Sequence, residues 1–232
     1  MPHTLLIPLV GPMQAWGSRS RFDDRDTHPE PTKSGVLGLV CAALGRGRTE
    51  SIDDLAEMRF GVRSDVPGMA VSDFQTAQRV LRASGGGTTS VTSRRHYLSD
   101  AVFLAGLESA SLALVRAIEA ALMDPVWVLS LGRKGYPLTA PPYLPWGSVR
   151  EGVPLEQALA AEPWRPLYPL PEWRPRPDQL RVLVEDLEGE DGAIADVPLA
   201  FDRRQFGLRR VRSHMAPREG EGEAWSTCPS SS

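Results

Sequence analysis

The chain has 232 residues, enough for one large domain or two small ones with a real core. It is 41% hydrophobic and 24% charged, as soluble globular proteins are, and no run of about 18 apolar residues marks a membrane span. Its 26 basic and 29 acidic residues give a net charge of −3, which argues against an indiscriminate nucleic-acid binder yet can hide a basic groove.

The start, MPHTLLIPLVGPM, lacks the basic segment of a signal peptide, so a cytoplasmic location is expected. Residues 4–10 predict a strand, with Pro8 at a bulge or a non-bonding position. The loop after it carries Gln14, Trp16, Arg19, Arg21 and Arg25. Residues 34–45 predict a helix, with Leu37, Val40, Cys41 and Leu44 on one face. Gly35, Gly38, Ala42 and Gly45 fall on the opposite face. Each interior glycine costs about 1 kcal/mol relative to alanine, so such a face implies close approach by another backbone or a ligand. Ser51 is expected to cap a short helix over 52–58.

Residues 60–65 predict a strand. The stretch 74–97 reads as a protruding hairpin, with Gly85-Gly86-Gly87 at its tip and Arg79, Arg82, Arg94 and Arg95 on its flanks. Residues 101–107 are apolar on both faces, as in a central strand. Ser109 is expected to cap a helix bearing Leu112, Val115, Ile118 and Leu122, which Asp124-Pro125 ends. Residues 126–131 predict a further buried strand. Without the hairpin, this order is the ferredoxin-like β-α-β-β-α-β layout, an α+β fold shared with RNA-recognition motifs.

We place this domain at 1–136. From Pro137 prolines recur, and 137–216 reads as a smaller, Pro-rich, β-containing part. It has a helix over 155–161 and a strand over 179–185, with 207–212 as a possible partner. Residues 217–232 read as a disordered tail. Cys41 and Cys228 read as free thiols. His3, His28, His96 and His214 lack ligand spacing, so neither a metal nor another cofactor is expected.

Four constellations bear on function. The helix start Thr32-Lys33-Ser34-Gly35 offers free amides and a cation to an anion, or it is an ordinary cap with a solvated lysine. Gly132-Arg133-Lys134-Gly135 sets two cations between glycines, suited to a phosphate or to a plain basic turn; Walker spacing is absent. Arg94-Arg95-His96-Tyr97 joins cations to an aromatic, as phosphate contact and base stacking need, or it is a solvated hairpin stem. Arg203 to Arg212 holds five arginines, including Arg204, that would line RNA or balance an acidic partner. Arg210 and Arg212 share a strand face opposite Arg209. There is no nucleophile elbow and no paired metal carboxylates.

The blocks Gly11-Pro12-Met13-Gln14-Ala15-Trp16-Gly17 and Pro31-Thr32-Lys33-Ser34-Gly35-Val36-Leu37-Gly38-Leu39 closely resemble the CasD subunits of type I-E CRISPR Cascade complexes. Those subunits are a branch of the fifth Cas family of the RAMP superfamily. The resemblance continues at Asp73-Phe74-Gln75-Thr76, Tyr97-Leu98-Ser99-Asp100-Ala101, Leu131-Gly132-Arg133-Lys134 and Arg204-Gln205-Phe206. It implies a RAMP-type domain with a thumb at 74–97, and a non-catalytic role in antiviral defense. Such a subunit binds the 5′ handle of the CRISPR RNA and caps the Cascade backbone subunits. It also contacts the large subunit and meets target DNA only indirectly, with no membrane involved. The expected RNA contacts are Gln14, Trp16, Arg19, Arg21, Arg25, Lys33, Ser34, Arg94, Arg95, His96, Arg133, Lys134 and Arg204. Two alternatives stand beside this. One is a metal-independent endoribonuclease using His96, Tyr97 and Lys33; the other is a protein–protein scaffold.

Overall fold

A strand apolar on both faces must be covered on both. β1 (His3–Gln14) meets that requirement by alternation: Leu5, Ile7 and Leu9 join one buried cluster, and Leu6 and Val10 join others behind it. The computed structural model describes residues 1–17, 24–169, 172–173 and 175–225. Arg19, Arg21 and Cys228 lie outside the described residues.

After β1 come β2 (Asp24–Arg25), α1 (Lys33–Leu44), α2 (Asp53–Ala56), β3 (Arg59–Val66), β4 (Met69–Leu81) and β5 (Thr88–Ser109). Then follow α3 (Leu112–Met123), β6 (Val149–Glu151), α4 (Leu155–Ala161), β7 (Gln179–Glu185), β8 (Ala193–Ala200) and β9 (Gln205–Pro217). The strands among the described residues form one mostly antiparallel sheet in the order β6-β1-β5-β3-β7-β9-β8. β2 and β4 pair with β5 off this path. α1 and α3 cover one face, and α4 covers the other, against Leu6, Leu104, Val182 and Val184.

Pro8 is tolerated for a specific reason. Leu6 N–H donates to the Ser148 carbonyl, away from β5. Pro8, two residues on, would donate the same way, where β6 has already ended.

β5 is the organiser. Its second half, paired from Leu98 to Ser109, lies between β1 and β3. Its first half leaves the body with β4 as a hairpin closed by Arg82 to Gly87. Most of β4 is exposed.

Several expectations are corrected. Residues 126–131 form no strand: the Val126 and Trp127 amides donate to the Ala43 and Ala42 carbonyls at the end of α1. Those amides are therefore spent on a helix terminus. The place beside β1 goes to the short β6. Ser111, not Ser109, caps α3, accepting from Leu114 N. Ile52 stands at the N-cap of α2 without a side-chain cap bond. The strand at 207–212 belongs to β9, which pairs with β7 through Val211–Pro217 and with β8 through Gln205–Arg210. Through β7, the C-terminal part continues the sheet from β3. Within the described part of the tail, Gly222 N donates to the Trp164 carbonyl, and Trp225 N to that of Pro166. No helix among the described residues is long and apolar enough to cross a membrane.

Candidate nucleic-acid interface

The glycine face of α1 turns toward a cleft of about 450 Å³. Ser34, Gly35, Gly38, Ala42 and Arg46 form its floor, and Ala15, Trp16 and Gly17 at the end of β1 form one side. The loop Ser130–Arg133 and the turn Phe201–Phe206 close the rest. Among the described residues, Arg25, Arg46, Arg48, Arg133 and Arg204 line it beside the carboxylate of Asp26, and Arg46 is paired with Asp54. This is a concave, strongly cationic surface inside a chain of net charge −3.

Local chemistry shapes each wall. Gln14 is buried at the end of β1, where its amide donates to the Leu9 carbonyl at 3.1 Å and the Ala101 carbonyl at 2.8 Å. Its Oε1 accepts from Trp16 Nε1 at 3.1 Å. That bond lays the indole under α1, so that a Cβ on Gly35 would sit 2.7 Å from Trp16 Cε3. Gly35 is required by packing. Gly38 is not, since a Cβ there would meet nothing within 4 Å. Gly132 has φ +86°, and a Cβ would come within 1.8 Å of the Ala15 carbonyl oxygen. Only glycine lets this loop close on β1. Arg133 then donates to the Tyr136 hydroxyl and the Arg25 carbonyl, both at 3.0 Å.

The expected contacts separate into groups. Trp16, Arg25, Ser34, Arg133 and Arg204 come together in the cleft. Lys134 stands exposed beside them. Arg94, Arg95 and His96 lie at the root of the hairpin, next to β2; His96 Nε2 is 3.2 Å from Asp24 Oδ1. Gln14 is a buried support.

Lys33 is a correction. It is 1% exposed, and its ammonium pairs with Glu185 at 2.8 Å. Burial pulls its pKa below the ordinary lysine value, although Glu185 pulls it back. The α1 start does hold an anion, but that anion is the protein's own: Lys33 N donates to Asp196 Oδ2 at 2.8 Å. Asp196 also holds Arg209, 2.7 Å away and equally buried. Of the 203–212 arginines, Arg209 thus supports the helix start, and Arg212 pairs with Asp186 and Glu156. Arg204, at φ +51° in a tight turn, reaches the cleft. Arg210 and Arg212 are exposed opposite Arg209, as the alternation requires.

The sequence reading missed Arg46 and Arg48. Helical spacing did not point to them: α1 ends at Leu44, and Gly45 at φ +72° turns the chain, so both arginines lie beyond its periodicity. The Arg46 guanidinium is held by Asp54 through two bonds of 2.6 and 2.7 Å, and that contact keeps the Asp54 carboxyl below its usual pKa. Cys41 also borders the cleft, but burial raises its thiol to about 11, so it stays protonated. Among the described residues, no group of three metal-ligating side chains is gathered.

The family described as CRISPR-associated protein (Cas_Cas5) matches residues 4–212. The chain is 34% identical over 179 residues to the CRISPR system Cascade subunit CasD of Escherichia coli (strain K12), covering 70% of this chain and 79% of that one. A crystal structure of a Cas protein superposes with a TM-score of 0.75 at 41% identity, over 94% of this chain and 98% of that one. A chain of a CRISPR RNA-guided surveillance complex superposes with a TM-score of 0.71 at 29% identity, over 93% and 90%. A family match over nearly the whole sheet, with relatives alike in both sequence and backbone, makes this chain a member of the Cas5 family of CRISPR-associated proteins.

Proposed function

We propose that this protein is a non-catalytic, RNA-binding subunit of a type I-E Cascade complex. It holds the 5′ handle of the CRISPR RNA in the arginine-lined cleft and caps the filament of backbone subunits, beside the large subunit. The observation that carries this is convergence. Arg25, Arg133 and Arg204 come from three distant segments and meet Arg46 and Arg48 over one glycine-floored helix face. Phosphates need closely spaced cations and room for a backbone, and the cleft supplies both. The hairpin of β4 and β5 is the thumb of this reading. The order β6-β1-β5-β3 with α1 and α3 supports a ferredoxin-like domain, whose fourth strand is β6. Its boundary then falls after Glu151 rather than at 136.

The test is co-expression of the full chain with its genomic neighbours, capture, and sequencing of the RNA retained. Replacing Arg48, Lys134 or Arg204 by alanine should each weaken retention and reduce the salt slope by about one. Retention that does not vary with salt would instead favour the scaffold reading.

A further inference from the structure

The hairpin of β4 and β5 has two unlike faces. Directly opposed residues point the same way. Ser72 with His96, Phe74 with Arg94, and Thr76 with Thr92 therefore share one face; Asp73 with Arg95 and Gln75 with Ser93 take the other. The second face is the cleft side: Arg95 is beside Arg25 on β2, and the next residue of that face, Tyr97, packs on Tyr136. On the reverse face, the Phe74 ring is 69% exposed. The Arg94 guanidinium stands 5.2 Å from its centroid. Among the described residues, no carboxylate pairs with Arg94.

Folding gains little from such a phenyl ring, because most of it stays exposed. The fully buried core of a protein interface is apolar over several neighbours. Phe74 has hydroxyls instead: Ser72, and Thr76 bonded to Thr92 at 3.3 Å. An open aromatic face backed by a cation that makes no ion pair among the described residues, although Asp24 stands opposite it on β2, suits a nucleobase on a phosphodiester chain.

Building on the RNA-binding reading above, we infer that Phe74, with Arg94 behind it, stacks one unpaired base of the bound RNA. The cleft holds the strand by its phosphates, and Phe74 receives one of its bases.

The test uses the co-expressed complex reconstituted with handle RNAs carrying 2-aminopurine at single positions. In the wild type, one position should be quenched by stacking. Phe74→Ala should restore that fluorescence and weaken RNA binding about 5- to 150-fold. Phe74→Tyr keeps the ring and should preserve both. Arg94→Ala should weaken binding less and lower the salt slope by about one. Unchanged fluorescence and affinity in Phe74→Ala would overturn the platform while leaving the cleft reading intact. Loss of a co-purifying subunit with RNA fluorescence unaltered would assign Phe74 to a protein contact and also overturn it. A wild type that retains no RNA would overturn the cleft reading itself.

Discussion

Gly38→Ala should move stability and RNA retention in opposite directions. Gly38 is in the interior of α1, where alanine is favoured by about 1 kcal/mol. The added methyl meets no protein atom within 4 Å, so no packing strain offsets that gain. For a chain of this length, 1 kcal/mol is about 2–4 °C in Tm. The methyl does enter the cleft, where an RNA backbone in contact with the helix would have to withdraw. Overpacking of about 1–3 kcal/mol corresponds to about 5- to 150-fold weaker retention. Thermal denaturation of the free protein and salt-titrated retention of CRISPR RNA read the two effects separately. Gly35→Ala is the contrast: its methyl strikes Trp16 and should lower Tm. A Gly38→Ala variant with raised Tm and unchanged RNA retention would refute close approach at the helix face.

Other outcomes follow from particular contacts. Asp196→Ala leaves Arg209 and the α1 start uncompensated in the interior, and should cost about 3–5 kcal/mol in denaturant unfolding. The Arg59 hydrogen bond holds the Glu156 carboxyl below its ordinary value of 4.5. A depressed folded-state pKa contributes stability above the unfolded value, lost as pH falls through the folded one. Glu156→Gln should therefore cost more near pH 7 than near pH 3, as denaturation at the two pH values will show. Replacing residues 78–91 by a short turn should leave Tm nearly unchanged, because that part of the hairpin is mostly exposed; assembly with backbone subunits and RNA should fail in co-purification. Repeat RNA should stay full length with the purified protein in EDTA. His96 and Tyr97 point to opposite strand faces and Lys33 is buried; a discrete cut abolished by His96→Ala would restore the endoribonuclease reading.

Short-range periodicity made much of the architecture legible. The apolar run Leu5 to Val10 reads as a strand, and 101–107, apolar on both faces, as a central one. The helical stripe of Gly35, Gly38 and Ala42 reads as one face of a helix, of which Gly35 packs on Trp16, and residues 74–97 read as a hairpin. These are properties of a few turns or residues, so the local sequence suffices. The fate of the charges is different. Lys33 looks like a cation offered at a helix start, yet Glu185 and Asp196 arrive from the far end of the chain and claim it. Arg209 and Arg204 stand five residues apart in one basic run; one ends buried on Asp196 and the other in the cleft. Residues 126–131 have a strand's composition, but the Ala43 and Ala42 carbonyls at the end of α1 take the Val126 and Trp127 amides. Whether a charge or an amide meets solvent, a ligand or a distant partner depends on which segments the sheet order brings together, and that is decided only in three dimensions.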